Sequence, residues 1–341
     1  MSKILVTGGA GYIGSHTIVD LIENGFDIIC IDNFSRSLAS SLDGIKAITG
    51  KEIKNYCIDL CDYQDTKNVF EENKDIVGVI HFAAFKAVGE SVEKPLMYYE
   101  NNMYSLLNVL KCIQDYHVSS FVFSSSCSVY GNVDTLPVTE DTPLSNPECA
   151  YAATKQMGEQ VIKDFSRVND AKSILLRYFN PVGAHTSGLI GEVPFDRPNN
   201  LIPVITQTAI GQIEKMHVWG NDYDTRDGSC IRDYIHVMDI ANAHTKALQY
   251  LIEAKHETNC ETLNLGSGNG VSVLEAINSF EKVSGVKLNY EIGPRRAGDV
   301  VAIYANNALC KSKLGWNPTF SIDEMLATAW KWQLVLASKN K

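Results

Sequence analysis

Residues 3–25, KILVTGGAGYIGSHTIVDLIENG, decide the fold. The apolar run Ile4-Leu5-Val6 predicts a buried strand, the glycines from Gly8 to Gly14 a tight turn, and the residues beyond them a helix. That helix stops at Asn24-Gly25, where glycine suits a left-handed C-cap. Gly8, Gly11 and Gly14 satisfy G-x-x-G-x-x-G, while Gly9, Gly11 and Gly14 satisfy G-x-G-x-x-G, so spacing alone leaves both patterns open. In either, missing side chains let the backbone approach a pyrophosphate, and free amides at the helix N-terminus favour its charge. A plain strand-to-helix turn is the alternative; a strand before, a helix after and a place at the first strand favour a dinucleotide.

Working outward, FDIICIDN (26–33) and NYCIDL (55–60) read as further strands, and IVGVIHFAAF (76–85) as a strand covered on both faces. SSFVFSSSCSVYG (119–131) repeats the theme. Strands alternating with helical stretches predict right-handed crossovers and a Rossmann-like, doubly wound parallel sheet, an α/β fold whose ligands lie at the strands' carboxyl ends. From YFNPVGAH (178–185) the regularity breaks into a loop-rich region, which places the domain change near Asn180. RDYIHVMDIANAHTKALQYL (232–251) reads as a return to a long helix, and TLNLGSG (262–268) as another strand for the first sheet. The expected organisation is a cofactor domain over 1–180, joined by parts of 232–266, and a smaller, discontinuous substrate domain within 181–341.

Composition narrows the class. Hydrophobic residues make up 45% and charged residues 21% of 341, the balance of a globular protein with a full core. A net charge of -10 argues against a nucleic-acid backbone as partner. Nine cysteines without a Cys-x-x-Cys pair suggest reduced thiols rather than a disulfide framework or zinc ribbon. No apolar stretch reaches a membrane-spanning length and no signal segment leads the chain, so the expected location is cytoplasmic.

Asp32 ends the second strand, 18 residues beyond Gly14, where a carboxylate can bind an adenosine ribose and repel a 2′-phosphate. NAD is therefore expected rather than NADP, with Arg36 as the nearby residue that could argue otherwise. Asp59 follows the next strand and could face the adenine or cap the helix beginning near Asp62.

Chemistry is carried by YAATK (151–155). Tyr151 and Lys155 share a helix face, but so do Tyr63 and Lys67 in YQDTK, so the spacing needs context. Tyr63 lies in a polar, acidic segment, whereas Tyr151 follows the strand ending in Ser124, Ser125 and Ser126, and Gly158 continues its stripe. A phenol of ordinary pKa about 10 becomes a base near neutrality only beside positive charge. Lys155 and an oxidised nicotinamide can supply that charge, and a serine hydroxyl can align an alcohol, which suits proton removal coupled to hydride departure.

TGGAGYIG, the Ser126 strand and YAATK together resemble the extended short-chain dehydrogenases/reductases. The blocks GGAGYIGSHT (8–17), HFAAFKAVGESVEKPLMYYENN (81–102), LRYFNPVGAH (176–185), PNNLIP (198–203), RDYIHVMD (232–239) and GPRRAGD (293–299) resemble, within them, the UDP-glucose 4-epimerases, and they run from Gly8 to Asp299. The resemblance implies reversible C4 epimerisation of UDP-glucose and UDP-galactose through a 4-keto sugar, with bound NAD and a homodimer. It implies Tyr151 as acid/base, Lys155 as its electrostatic partner and nicotinamide-ribose ligand, and Ser126 as the residue that orients the hydroxyl. To the cofactor it assigns Gly8, Gly11, Tyr12, Ile13, Gly14, Asp32, Asn33, Asp59, Leu60, Phe82, Ala83, Ala84, Lys86, Asn101 and Phe179, together with Ser126, Tyr151 and Lys155. To the UDP-sugar it assigns Asn180, Asn200, Leu201, His217, Trp219, Arg232, Arg296 and Asp299, with Lys86, Ser126 and Tyr151 shared, and it leaves Arg295 structural.

Two positions depart from that pattern. Cys149-Ala150 stands where such proteins often have Ser-Pro. Ile303 stands where the family uses a tyrosine to restrict substrates to hexoses or a smaller residue to admit N-acetylhexosamines, so the sugar range stays open. His81 and His236 have no second ligand at metal spacing and read as structural. A nucleotide-sugar 4,6-dehydratase would need carboxylates where Ser126-Cys127-Ser128 stands, and a silent nucleotide sensor would be expected to lack the tyrosine or lysine.

Overall fold

The computed structural model describes residues 2–194, 198, 200–296 and 300–339. The first half alternates strand and helix: β1 (Lys3–Thr7), α1 (Tyr12–Glu23), β2 (Asp27–Ile31), α2 (Ser40–Thr49), β3 (Lys54–Tyr56), α3 (Tyr63–Glu72), β4 (Ile76–His81), α4 (Val88–Glu93), α5 (Pro95–Asp115), β5 (Ser120–Ser126), α6 (Ala150–Val168) and β6 (Lys172–Tyr178). The second half runs β7 (Asn180–Val182), α7 (Leu201–Ala209), β8 (Met216–Trp219), β9 (Ile231–His236), α8 (Val237–Ile252), β10 (Cys260–Leu265), β11 (Gly270–Ser272), α9 (Val273–Ser284), β12 (Tyr290–Gly293), β13 (Ala302–Ile303), α10 (Ala308–Leu314) and α11 (Ile322–Lys339).

Seven strands form one parallel sheet in the order β10-β6-β5-β4-β1-β2-β3. It is the doubly wound fold expected from the glycine-turn stretch, with its order reversing between β1 and β4. Apolar side chains bury both faces: Ile4, Val6, Ile80 and Val122 pack with α1 and α8, while Leu5, Val79, Phe121 and Phe123 pack with α5 and α6. A smaller set of strands, β7, β11 and β13 around β9 and a β8–β12 pair, shares a separate core with α7, α9 and α11. β10 pairs with β6, so the chain returns to the large sheet after entering the smaller one.

Two segments differ from the sequence reading. NYCIDL yields only β3, because this edge strand pairs with β2 from Ile29–Lys54 to Ile31–Tyr56 and loses its partner where β2 ends. The stretch 232–251 is not one helix. Its first residues complete β9, whose partners β7, β11 and β13 come from distant segments and are invisible to local periodicity. The break falls at His236, whose Nδ1 accepts from Met238 N at 3.1 Å and caps α8. Its ring stacks on Phe320 at 3.8 Å and its Nε2 meets Thr328 Oγ1 at 3.0 Å, while His81 Nδ1 meets Thr7 Oγ1 at 2.8 Å across β1 and β4. Both histidines are bound into the frame.

The glycine turn is sterically closed. A Cβ on Gly14 would lie 2.3 Å from Gly8 O and 2.8 Å from Gly9 Cα, both backbone atoms. Gly25 has φ 84° but open space around its missing Cβ. Gly14→Ala should therefore lower stability by about 1–3 kcal/mol through overpacking and weaken retention of the expected dinucleotide, whereas Gly25→Ala should cost about 1–2 kcal/mol through its left-handed φ and leave that retention unchanged. Thermal denaturation with measurement of co-purified nucleotide checks both; a Gly14→Ala protein that melts and retains nucleotide like the parent refutes the steric account.

Candidate active site

At the sheet's switch point, Gly8 (φ 68°) lets the turn lie against the chain leaving β4: a Cβ there would sit 2.8 Å from Ala83 N. A Cβ on Gly9 would strike Cys30 Sγ and Ile18 Cδ1 at 2.5 and 2.7 Å, but one on Gly11 would meet only Gly8 O, at 3.1 Å. Gly8, Gly9 and Gly14 thus shape the turn, and Gly11 is its open side. Gly11 occupies the N-cap of α1 without a side-chain cap, and the first turn, with Tyr12 and Ile13, holds no acid. An uncapped helix start behind a glycine-rich turn fits a nucleotide diphosphate.

Asp32 lies just past β2 and is more occupied than its assigned role suggests. Its carboxylate accepts from Ala10 N at 3.0 Å, Phe34 N at 2.9 Å and Ser37 Oγ at 2.6 Å, so it braces the turn as well as ending the strand. Arg36 is committed to Glu90, with Nη2 at 2.8 and 3.1 Å from the two carboxylate oxygens, and stacks over Phe85. That pairing opposes its use as a 2′-phosphate clamp. Asn33 Oδ1 accepts from Ser35 N at 3.0 Å. Asp59 is exposed and holds only a local turn through Cys61 N; the cap of α3 is Asp62, which accepts from Asp65 N at 3.0 Å. Leu60 is buried beside it, its carbonyl taken by Asn108.

Phe82, Ala83 and Ala84 form the half-buried floor after β4, and Phe82 N donates to Thr7 O at 3.0 Å. Asn101 donates to Asn102 Oδ1, and Asn102 in turn bonds Phe85 N, Phe85 O and Thr154 Oγ1 at 2.8–3.1 Å. Asn102, absent from the sequence assignment, ties this floor to α6. Lys86 reaches across to Glu192 at 2.9 Å, and that carboxylate holds its ammonium in the charged form. Phe179 is buried, with its N–H on Leu265 O.

The centre is built where β5 ends against the start of α6. Cys149 caps that helix through a 3.5 Å contact from Ala152 N, performing the local task despite the departure in sequence. Tyr151 and Lys155 are both buried. Lys155 Nζ donates to Ser124 O at 2.6 Å and lies 4.7 Å above the Phe123 ring and 5.9 Å from the Tyr151 ring centroid. Burial draws the Lys155 ammonium down to about 8 against the field of Glu159. Burial, with Tyr178 adding, pushes the Tyr151 phenol well above its ordinary value, and the Ser126 hydroxyl works the other way. The protein's own groups therefore gather the three residues yet leave the phenol neutral. Tyr63 and Lys67 have no such setting: Tyr63 donates to Asp115 at 3.0 Å and Lys67 pairs with Glu71 at 3.4 Å on the surface.

The residues assigned to a nucleotide sugar are spread over the smaller strands and α7. Asn180 begins β7; Asn200 occupies the N-cap of α7 without a side-chain cap bond, leaving the Leu201 amide at a helix start. His217 and Trp219 share the exposed face of β8, with rings stacked at 5.2 Å and His217 Nδ1 3.2 Å from Glu291. Arg232, in β9, donates to Ile231 O and Val300 O at 2.9 and 2.6 Å. Its field reaches the Cys127 thiol, which also acts on Tyr151, so β9 comes up to the turn after β5. Arg296 is exposed, Arg295 braces Asp222 and Tyr223, and Asp299 lies outside the described residues. Ile303 is buried among Val129, Tyr130, Val138 and Phe179.

A family model described as GDP-mannose 4,6 dehydratase matches residues 5–329. The UDP-glucose 4-epimerase of Bacillus subtilis (strain 168) is 48% identical over 333 residues, covering 97% of this chain and 96% of that one. A crystal structure of UDP-glucose 4-epimerase from Stenotrophomonas maltophila, with bound NAD and formylated UDP-arabinopyranose, superposes with a TM-score of 0.96 at 42% identity, covering 99% and 100% of the two chains. The Bifidobacterium longum enzyme, in complex with NAD+ and UDP, gives 0.92 at 43% identity, with 98% of each chain covered. Sequence and fold agree over almost the full length, and the chain belongs to the UDP-glucose 4-epimerase family of the extended short-chain dehydrogenases/reductases.

Proposed function

We propose that the protein interconverts UDP-glucose and UDP-galactose, with NAD held between the glycine turn and the floor after β4. The observation that carries this is the buried Tyr151–Lys155 pair at the carboxyl end of β5, with Lys155 Nζ 2.6 Å from Ser124 O. When bound, the oxidised nicotinamide supplies a positive ring and a reversible hydride acceptor, so that loss of hydride from one face of C4 and its return to the other invert the carbon through a 4-keto sugar. Tyr151 Oη takes the O4 proton as hydride leaves and gives it back as hydride returns. Because burial keeps the phenol neutral in the protein alone, its ionisation belongs to the loaded site, where two cations oppose that burial. Lys155 supplies one of them and binds ribose; Ser126 orients the sugar hydroxyl.

At the far end, Arg232 and Arg296 suit a diphosphate, the amide of Leu201 suits an anion at a helix start, and the His217–Trp219 stack offers an aromatic face to a base. Binding energy placed there holds the nucleotide while the sugar turns. Among the described residues, elimination of water in the dehydratase manner has no acid ready at the β5 turn. Asp233, whose field reaches Cys127, is buried and accepts from Ser267 N, Ser267 Oγ, Gly268 N and Ala305 N.

The reading extends to setting and assembly. None of the nine cysteines is paired, which suits the reducing cytoplasm, and among the described residues no helix is long and apolar enough to cross a membrane. Leu96, Tyr104 and Leu107 make an apolar stripe on α5, 73%, 54% and 37% exposed, and Met157 of α6, the helix that packs on α5, is exposed too. Covering that stripe with its copy in a second chain gives the homodimer.

Tyr151→Phe should lower turnover of UDP-galactose by at least about a thousandfold while UDP binding stays near the parent's. A coupled assay without added NAD, with calorimetry of UDP, reads both; retained turnover excludes Tyr151 as the acid/base, and an inactive parent that binds both ligands returns the sensor reading. Isoleucine at 303 is intermediate in size between the tyrosine and the smaller residue of the family's two types, so turnover of UDP-glucose and UDP-N-acetylglucosamine is compared in parent and variant, and Ile303→Tyr should lower the ratio for the N-acetylated sugar. Equal ratios of the two sugars in parent and variant would remove Ile303 from the specificity. Leu96→Glu with Tyr104→Glu should convert a dimer into a monomer in sedimentation equilibrium; an unchanged mass moves the interface elsewhere.

A further inference from the structure

Beneath Lys155 lies an ion pair for which the mechanism so far has no use. Glu159 is one helical turn beyond Lys155 on α6, and its carboxylate accepts from Ser125 Oγ at 2.6 Å and from Arg177 Nε and Nη2 at 2.8 and 2.6 Å. Glu159, Ser125 and Arg177 are all buried. Arg177 Nη1 continues to Tyr130 OH at 2.8 Å, and that hydroxyl to Asn264 Oδ1 at 2.6 Å. Buried pairs of this kind are poor stabilisers, since apolar residues of similar volume often do as well or better. The location gives a better reason. Ser125 stands between Ser124, whose carbonyl receives Lys155, and Ser126, which faces Tyr151.

We propose that Glu159 is a positioning residue that keeps Lys155 protonated, and that Arg177 fixes the Glu159 carboxylate and holds the Ser124–Ser126 strand end in register with α6, the two together setting the upper pH limit of the site. The groups facing Lys155 leave Glu159 as its anionic support. On α6 these are Tyr151 and Glu159; on β5, the Ser124 carbonyl and the Phe123 ring. His81 on β4 and His244 on α8 also face it, and burial draws them down to about 3 and about 4, so both are neutral. Arg177 on β6 lies behind Glu159, Lys163 on α6 lies 3.9 Å from its carboxylate, and both neutralise part of its field. Lys155 works while protonated, so losing the carboxylate lowers the pH at which that proton leaves and moves the alkaline limb downward.

This inference rests on the epimerase reading, and its test separates the two. In the holoenzyme, the pH dependence of kcat and the pH at which bound NADH fluorescence is lost are measured for the parent, Glu159→Gln, and the paired Glu159→Gln/Arg177→Met, which leaves no lone buried charge. Glu159→Gln should shift both midpoints down by about one pH unit, and the paired variant should shift them less in the same direction. Parent midpoints in the variants, with kcat merely scaled down or the melting temperature lowered, overturn the proposal. Should Glu159→Gln fail to fold, the paired variant decides alone. The NADH arm needs no turnover, so a parent that does not epimerise would sink the activity while still testing Lys155.

Discussion

The site depends on an ammonium ion kept in a place without water. Lys155 is 4% exposed, and its charge survives through the Ser124 carbonyl, two aromatic faces and the field of Glu159. That requirement dictates the architecture around it. β5 must run through the middle of the sheet so that its last carbonyls point into the crevice, and α6 must begin at that end so that Tyr151 precedes Lys155 by one turn. α6 must also approach closely. Gly158 allows this, because a Cβ there would lie 3.1 Å from Phe123 Cζ and 3.2 Å from Leu106 Cδ2.

Holding the lysine there costs stability. Its folded value is lowered from 10.5 to about 8, so between those limits the unfolded chain binds more protons than the folded one and stability rises with pH. Below about 8 the penalty is at its full size, of order 3 kcal/mol at neutral pH. The protein thus carries a desolvation cost that apolar packing would not. Tyr151 carries the complementary burden: burial opposes its charged form, so in the proposed mechanism the base would exist only alongside the positive ring.

The glycine turn, the strand alternation and the Tyr151–Lys155 spacing were legible because each is local. A run of apolar residues, a missing Cβ and an i,i+4 pair leave their marks within a dozen positions. Other features were hidden because they join distant segments. Glu159 at four residues past Lys155 was visible as a polar residue, but its burial depends on Arg177 arriving from β6, 18 residues on. Asn102 draws its meaning from Phe85 and Thr154, and Asp32 its other duties from Ala10 and Ser37. The strand in 231–236 escaped for the same reason, since DYIH and the helix after it are equally apolar and only β7, β11 and β13 distinguish them.

On the proposed assignment, inversion at C4 asks one tyrosine to serve both faces of a sugar, so either the protein or the sugar must move. The frame argues for the sugar. Tyr12, at the start of α1, donates to Gly183 O at 2.6 Å, fastening the glycine turn to the chain beyond β7. β9 passes through the His236 cap directly into α8, which packs on α1 and is held to the following segments by Asp239. The Asp239 carboxylate accepts from Thr319 N and Oγ1 at 3.0 and 2.8 Å, and its carbonyl accepts from Trp316 Nε1 at 2.9 Å. Arg232 is therefore covalently continuous with an element packed against the cofactor turn, and relative movement of the two ends would break buried hydrogen bonds. The bonds between the diphosphate and the pyranose carry no such restraint, which makes rotation of the bound sugar the cheaper route to its other face.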